Sequence, residues 1–270
     1  MAVDIAGLLA DLRAESEVTT ALLRPLPPEG WDAPTPAAGW TIRDQVTHLA
    51  YFDEAAALAV TDPGRFTAAA AELAAAGADF PDQVAARHAG LPGAEALAWF
   101  TSARAGMIAA YAAADPAVRV PWYGPPMSLA SSITARLMET WAHTQDIADT
   151  LGVTREPTGR LRHVADLGVR TMAFTHVIHG EPVPDEPIAV DLTGPAGERW
   201  TWGPAGAANL VTGSALDFCL VVTQRRHLDD TGLRLTGAAA RRWMSIAQAF
   251  AGAPGPGRPP GGPFAERGAG

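Results

Sequence analysis

The sequence predicts an α+β protein in which a four-helix bundle is followed by a smaller domain of helices and strands. Residues 1–155 contain long segments whose apolar side chains recur at helical spacing, which predicts a bundle. Residues 156–252 also contain short segments in which apolar and polar residues alternate, as they do in strands. Residues 253–270 are rich in Pro and Gly, a composition typical of disorder. We therefore predict two folded domains and a disordered tail.

Four long helices account for the predicted bundle. They are expected at about residues 4–23, 41–58, 94–114 and 128–151. Asp4 is the expected N-cap of the first helix, and Thr41 with Asp44 forms a capping-box-like pair at the start of the second. Gly152 is expected just beyond the fourth helix, since glycine readily adopts the left-handed conformation that ends helices.

Less regular segments surround these helices. The alanine-rich residues 66–88 predict a further helix that Pro81 interrupts. Residues 121–126, Pro-Trp-Tyr-Gly-Pro-Pro, predict a rigid loop whose Trp122 and Tyr123 lie in the core or cover a pocket. In the second domain, helices are expected near residues 159–179, 214–224 and 238–250, and strands near residues 188–192, 198–202 and 233–235.

Composition and charge exclude several classes of function. The 270-residue chain has a formal net charge of −9 and a pI near 5.2, so it offers no basic surface for the phosphates of a nucleic acid. No apolar run reaches the ~18 residues that span a bilayer, and the N-terminus lacks the basic and apolar regions of a signal peptide. We therefore expect a cytoplasmic monomer or homodimer that acts on a small molecule, without nucleic-acid or membrane partners.

The reactive side chains present in the sequence exclude several kinds of catalysis and metal binding. All twenty basic residues are arginine, which excludes a Schiff-base lysine and the lysine of a phosphate-binding loop. Cys219 is the single cysteine, which excludes a disulfide framework and a cysteine-rich zinc site within the chain. Because Cys219 lies in an apolar segment, we expect a buried side chain rather than a reactive thiol.

A His/Glu/His set is the strongest functional signal. Glu139 and His143 are four residues apart, a little over one helical turn, so both side chains point from one face of the fourth helix. His48 lies on the second helix, 91 residues before Glu139. Imidazole and carboxylate groups are ligands of catalytic zinc, which keeps an open coordination position. The spacing fits either a divalent-metal site, whose ligand types would accept nickel, iron or manganese as well as zinc, or a helix-stabilising pair of Glu139 and His143 with a structural or solvent-facing His48.

The sequence allows several different roles for two carboxylates near the predicted ligands. Asp146 follows His143 by three residues and is expected to orient an imidazole, to act as a base at the metal, or to be an ordinary solvated carboxylate. Asp53, five residues after His48, is a weaker candidate of the same kind.

Three sequence motifs resemble those of a known family. Residues 40–49, Trp-Thr-Ile-Arg-Asp-Gln-Val-Thr-His-Leu, resemble the Trp-x-Ile/Val-Arg/Lys-Asp/Glu-x-x-x-His signature of DinB-like metal-binding bundles. Residues 135–146 resemble the helix that supplies the other two ligands in the mycothiol-dependent maleylpyruvate isomerase family of that superfamily. Residues 213–217, followed by Arg225 and Arg226, resemble the family's sterol-carrier-like second domain. The resemblance covers most of residues 1–250.

The resemblance implies a divalent metal on His48, Glu139 and His143, and mycothiol as a thiol cofactor. In that family an arginine of the second domain reaches toward the active site, which implies that Arg226 or Arg225 binds a carboxylate of the substrate or of the thiol. A charge cluster at a helix C-terminus is the alternative role for both arginines.

These observations leave one leading hypothesis of function and two alternatives. The leading hypothesis is a metal-dependent enzyme of the mycothiol-dependent isomerase or transferase class, in which the metal activates a thiol or water against an electrophilic small molecule. The first alternative is a thiol-independent hydrolase, lyase or cyclase that acts on a hydrophobic metabolite. The second is a non-catalytic metal or ligand carrier, which a fourth protein ligand such as Asp146 would favour.

Overall fold

The computed structural model describes residues 3–75, 77 and 80–262. The chain divides into two compact units, Met1–Val153 and Thr154–Gly270. The first is mainly helical and the second combines helices with a sheet, so the predicted α+β class is confirmed.

The described residues of the first unit form six α-helices, one short 3-10 helix (Pro28–Asp32) and one small hairpin. The helices are α1 (Ile5–Leu23), α2 (Ile42–Thr61), α3 (Pro63–Ala75), α4 (Phe80–Arg87), α5 (Gly93–Ala113) and α6 (Leu129–Leu151). The hairpin pairs β1 (Arg119–Val120) with β2 (Met127–Ser128). The four long helices make the bundle: α2 packs on α5 and α6, and α1 packs on the same two helices.

Local signals set the ends of the long helices as predicted. The Asp4 side chain accepts a hydrogen bond from the Gly7 amide at 2.9 Å. Thr41 and Asp44 form a reciprocal capping box, which satisfies two amides that the first turn of α2 leaves without helical partners. Gly152 follows α6 with φ of +69°, a conformation that costs a residue with a Cβ more than it costs glycine.

Apolar burial holds the bundle together. One cluster of buried side chains draws on the loop after α1 and on α1, α2, α5 and α6. It consists of Leu23, Trp31, Ile42, Val46, Leu49, Ala50, Ala96, Phe100, Ala103 and Ile147. Because α2 supplies four of these residues, the core fixes which face of α2 points inward, and thereby the direction of the polar side chains beside them.

Two predictions for the first unit were wrong in detail. Pro81 does not interrupt a helix; it lies in the first turn of α4, where the amide hydrogen that proline lacks has no helical partner in any case. Helix α3 already ends before Pro81, at Ala75. Residues 76, 78 and 79 lie outside the described residues. The strands β1 and β2 were not predicted, because two-residue strands carry no periodicity; the predicted aromatic loop joins them.

The described residues of the second unit combine four helices with a four-stranded sheet. Its elements are α7 (Leu161–Arg170), α8 (Met172–Ile178), β3 (Ile188–Thr193), β4 (Arg199–Trp202), β5 (Asn209–Ser214), α9 (Ala215–Val222), β6 (Arg234–Thr236) and α10 (Ala238–Ile246). The strand order is β4-β3-β5-β6, with β3 and β5 parallel and the other pairs antiparallel. The helix predicted over residues 159–179 is divided at Thr171, and the central strand β5 was missed.

The described part of the predicted tail has no helix or strand after α10. Arg258 Nε donates to the Gln224 carbonyl at 3.2 Å, and the Gly261 amide donates to Asp230 at 2.9 Å. Residues 263–270 lie outside the described residues, and disorder of residues 253–270 stays a prediction. Within the described residues, no helix combines the length and apolar character needed to cross a bilayer.

Candidate metal centre

The bundle brings His48, Glu139 and His143 together. His48 lies on α2, and Glu139 and His143 lie one turn apart on α6, which packs against α2. Glu139 Oε2 is 3.1 Å from His143 Nε2 and 3.7 Å from His48 Nε2. One ligand atom from each side chain fits within 4.8 Å of the other two. In the described part of the chain this is the one group of three or more His, Cys, Asp or Glu side chains so closely spaced.

These distances fit a single small cation. Two ligand atoms bound at about 2.0–2.1 Å to a tetrahedral zinc ion lie roughly 3.3–3.4 Å apart, and the two measured Nε2 to Oε2 distances, 3.1 and 3.7 Å, bracket that value. Both imidazoles and one carboxylate therefore face a common point. That these residues bind a metal stays a prediction, which their geometry now supports.

Burial and neighbouring groups give His48 and Glu139 the protonation states that metal binding needs. Burial, followed by the nearby His143, lowers the pKa of His48 to about 4. Burial alone would raise the pKa of Glu139, but hydrogen bonds from His143 and His48, and the charges of both, hold it well below its ordinary value. At neutral pH His48 is a neutral imidazole and Glu139 a carboxylate, and metals bind both groups in these forms.

A buried amide orients His143. Gln45 Oε1 accepts a hydrogen bond from His143 Nδ1, and Gln45 Nε2 donates to Thr35 Oγ1 at 2.8 Å. The tautomer with its proton on Nδ1 leaves Nε2, the atom that lies 3.1 Å from Glu139 Oε2, as the nitrogen that can bind a metal. Sequence reasoning missed Gln45, although it lies three residues before His48 and so shares its helix face.

His48 is held differently, by aromatic rings. Its Nδ1 is buried and has no hydrogen-bond partner among the described residues. Its ring lies between Phe52, with centroids 4.6 Å apart, and Trp40, with centroids 5.1 Å apart. Trp40 also stacks on His143 at 5.9 Å and 16°. The orientation of His48 therefore depends on packing and on the position of α2, since no side chain anchors its second nitrogen.

Further aromatic side chains continue from Phe52. We call the group formed by Phe52, Phe66, Phe80, Trp122 and Tyr123 the aromatic wall. Phe52 is 5.6 Å from Tyr123, and Trp122 stacks on Phe66 at 5.7 Å and 8°. The loop between β1 and β2 thus covers a patch of apolar rings that begins at a predicted metal ligand.

Comparison with known proteins identifies the family to which this geometry belongs. A family model for the N-terminal domain of mycothiol maleylpyruvate isomerase matches residues 12–148, just over half of the chain, and this range contains His48, Glu139 and His143. The chain belongs to this family. The predicted resemblance to the mycothiol-dependent isomerases is therefore confirmed.

Relatives and solved structures match this chain over most of its length. Uncharacterized proteins from two strains of Mycobacterium tuberculosis are each 48% identical to it over 255 residues, which is 94% of this chain and 99% of each relative. Crystal structures of the mycothiol-dependent maleylpyruvate isomerase and of its histidine-to-alanine mutant superpose with TM-scores of 0.58 and 0.61. They share 15% and 16% identity with this chain and cover 86% of it and 93% of their own chains, so they show a common fold. A further family model, described as wyosine base formation, matches residues 184–235.

The remaining predicted site residues of this family member are Asp146 in the first unit and two arginines in the second. Asp146 is fully buried on α6 and is not a member of the three-residue group. Arg225 and Arg226 belong to the second unit, where Arg225 Nη1 donates to the Thr223 carbonyl at 2.6 Å and Arg226 Nη1 to the Arg225 carbonyl at 2.7 Å. Roles for Asp146, Arg225 and Arg226 at the site stay predictions.

Two other sequence hypotheses have clearer outcomes. Asp53 is fully buried and bound by Arg104 and Arg136, so it is not available as a base. Cys219 is fully buried, as predicted, and burial raises the pKa of its thiol well above the ordinary value. A thiol that stays protonated at neutral pH is a poor nucleophile.

Loss of the amide that orients His143 should weaken metal binding. We expect Gln45→Leu to lower zinc affinity by about 10- to 100-fold, because the His143 ring loses the partner of Nδ1. Chelator competition on the purified variant measures the effect. Thr35→Ala, which removes the next link and leaves the bond from His143 to Gln45 intact, serves as the control and should change the affinity less. Equal affinities of Gln45→Leu and the wild type would contradict an orienting role.

Proposed function

We propose that this protein is a metal-dependent enzyme of the mycothiol-dependent isomerase or transferase class. The observation that carries the proposal is the convergence of His48, Glu139 and His143 within 4.8 Å, in a chain that belongs to the mycothiol maleylpyruvate isomerase N-terminal domain family. Zinc suits two imidazoles and one carboxylate, and nickel, iron and manganese accept the same ligands. A divalent ion at this position supplies a Lewis acid that lowers the pKa of a thiol or a water molecule.

The residues around the cluster perform the other tasks. His48 and Glu139 would hold the ion in the protonation states described above, and Gln45 would orient the His143 ring so that its Nε2 atom faces the ion. Trp40 and Phe52 pack against His48, which has a relative exposure of 9%, so little water reaches its ring. Exclusion of water strengthens every electrostatic interaction within the site.

Catalysis fits the cluster better than a closed carrier site. A carrier or structural site encloses its metal with four protein ligands, whereas catalytic sites keep a position for a thiol, water or substrate. Among the described residues, the group of closely spaced ligands stops at three. Three protein ligands leave that position open.

A thiol-independent reaction on a hydrophobic metabolite is the second candidate function. The aromatic wall favours it, because flat apolar faces beside His48 bind an apolar substrate better than a small polar acid. In this version His48, Glu139 and His143 would hold the same metal, which would supply a Lewis acid for a carbonyl or an epoxide of the substrate. Both versions share the metal ligands; the substrate class and the requirement for a thiol distinguish them.

One experiment separates these functions. The full chain, loaded with zinc, is incubated with maleylpyruvate (the acid named for the structural neighbours) or with an aryl-substituted epoxide, each with and without mycothiol. Conversion that requires mycothiol supports the leading proposal, and thiol-independent conversion of the epoxide supports the second. Metal-loaded protein that converts neither substrate would contradict both and favour a carrier. His143→Ala is the control for reactions that do not depend on the cluster.

A further inference from the structure

A buried ionic network lies beneath the proposed metal site. Asp53 on α2 is fully buried and accepts hydrogen bonds from two guanidinium groups. Arg104 on α5 donates to it from Nε at 2.6 Å and from Nη2 at 3.3 Å. Arg136 on α6 donates to it from Nε at 3.1 Å and from Nη2 at 2.9 Å. We call Asp53, Arg104 and Arg136 the arginine clamp.

The clamp touches the immediate neighbours of two proposed metal ligands. Arg136 Nη2 also donates to the carbonyl of Leu49 at 3.3 Å, and Leu49 follows His48 on α2. Arg104 Nη2 donates to Thr140 Oγ1 at 2.9 Å, and Thr140 follows Glu139 on α6. The clamp therefore restrains the backbone or the side chain directly beside a ligand on each of the two helices.

The clamp also ties the bundle together as a whole. Arg104 Nη1 donates to Ser16 Oγ on α1 at 2.6 Å, so one network links α1, α2, α5 and α6. Its two positive charges exceed the single charge of Asp53. Planar guanidinium groups fix the direction of each bond, unlike the flexible ammonium group of a lysine.

Burial of such a network is a poor way to gain stability. Desolvation of the ions offsets most of their attraction, and well-packed apolar residues of similar volume often serve a core equally well. What a buried network provides is a single preferred arrangement of the groups that it joins. The four helices already share a large apolar cluster, so the clamp is better explained by geometry than by cohesion.

His48 is the ligand that needs such restraint. Gln45 anchors His143, but the second nitrogen of His48 has no hydrogen-bond partner among the described residues. The position of its Nε2 therefore follows the position of α2 relative to α6. A shift of about 1 Å between these helices would move a ligand out of the range that zinc tolerates, which is about 0.2 Å.

We propose that Asp53, Arg104 and Arg136 are positioning residues that hold α2 and α6 at the separation at which His48 and Glu139 bind one ion. The inference rests on the proposed metal site. In this account the three residues do not contact the metal. They influence the affinity of the site through the spacing of the helices that carry its ligands.

The test compares metal affinity among variants of the full chain. Arg136→Met removes both contacts of Arg136, and Arg136→Lys keeps the charge without the forked geometry. A triple variant, Asp53→Leu with Arg104→Met and Arg136→Met, removes every charge of the clamp together, so none is left buried and unpaired and the bundle keeps its fold. Zinc affinity is measured by chelator competition, and the visible spectrum of the Co²⁺-loaded protein reports ligand geometry. Circular dichroism confirms that each variant is folded.

We expect zinc affinity to fall about 10- to 100-fold in Arg136→Met and in the triple variant, with a changed Co²⁺ spectrum and a smaller loss in Arg136→Lys. The control is Tyr111→Phe, which removes a buried 2.7 Å hydrogen bond between α5 and Ser132 of α6 but none of the hydrogen bonds of the clamp, and should leave affinity and spectrum unchanged. Wild-type affinity and spectrum in the folded triple variant would overturn the inference and leave the metal site standing. Absence of metal binding by the wild type would overturn both.

Discussion

Alanine at any one of His48, Glu139 and His143 should remove stoichiometric metal from the purified protein. The binding free energy of a zinc site with four ligands is of order 10–16 kcal/mol, or about 3–4 kcal/mol for each ligand, so one lost ligand should lower the affinity about 10²- to 10³-fold. The three side chains converge on one point, and each variant removes one corner of that arrangement. We therefore expect near-stoichiometric metal in the wild type after reconstitution with zinc, and a small fraction of it in each variant.

Elemental analysis and thermal unfolding with added zinc check this expectation. A ligand that binds the folded state alone stabilises it by about 2.7 kcal/mol at a concentration 100 times its Kd, so zinc should raise the Tm of the wild type and not that of the variants. Two matched controls are His88→Ala and Glu72→Ala, which remove the same residue types elsewhere in the first unit. The metal hypothesis fails if the wild type takes up no zinc, nickel or iron, or if the three variants retain as much metal as the controls.

Acid should destabilise the metal-free protein through His48. The pKa of His48 is about 4 in the folded state, against an ordinary value of 6.5 that applies after unfolding. Between these values the unfolded state binds more protons, so the free energy of unfolding falls as the pH drops from 6.5 to 4. A shift of this size corresponds to about 3 kcal/mol. Glu139 also lowers the free energy of unfolding as the solution becomes more acidic. Its folded pKa is depressed as well, so the stability that it contributes is lost as it becomes protonated.

Urea unfolding of metal-free protein at several pH values measures this effect. Other carboxyl groups titrate in the same range, so the informative quantity is the difference between the wild type and His48→Gln. The variant should lose less stability than the wild type between pH 6.5 and 4. Parallel stability curves for the two proteins would show that burial does not depress the pKa of His48 as described.

The long helices were predictable because their signals are local. The Asp4 cap, the capping box of Thr41 and Asp44 and the terminal Gly152 each act within a single turn, and the structure places all of them as expected. The errors occurred where the signal was weak or nonlocal. The strand β5 carries Gly213 and little alternation, and its hydrogen bonds with β3 and β6, which come from distant parts of the sequence, hold it as the centre of the sheet.

The candidate site shows the same difference between local signals, which the sequence reveals, and contacts between distant residues, which it does not. Spacing alone placed Glu139 and His143 on one helix face, and a motif drew attention to His48. Neither revealed Gln45 as the partner of His143, nor the arginines that occupy Asp53, because each contact joins different helices. Asp53 looked like a free acid in the sequence, and tertiary structure made it the centre of an ionic network.

By itself, the sequence determined the helices of the bundle, the α+β class and the residue types available for chemistry, since these depend on periodicity, caps and composition within short stretches of chain. Tertiary structure decided which polar side chains meet. Helix α2 lies against α5 and α6 because of apolar burial, and that packing sets the 3.7 Å from His48 to Glu139, the bond from Gln45 to His143 and the arginine clamp. Distances between helices arise from packing of the whole core, which no local pattern of residues encodes.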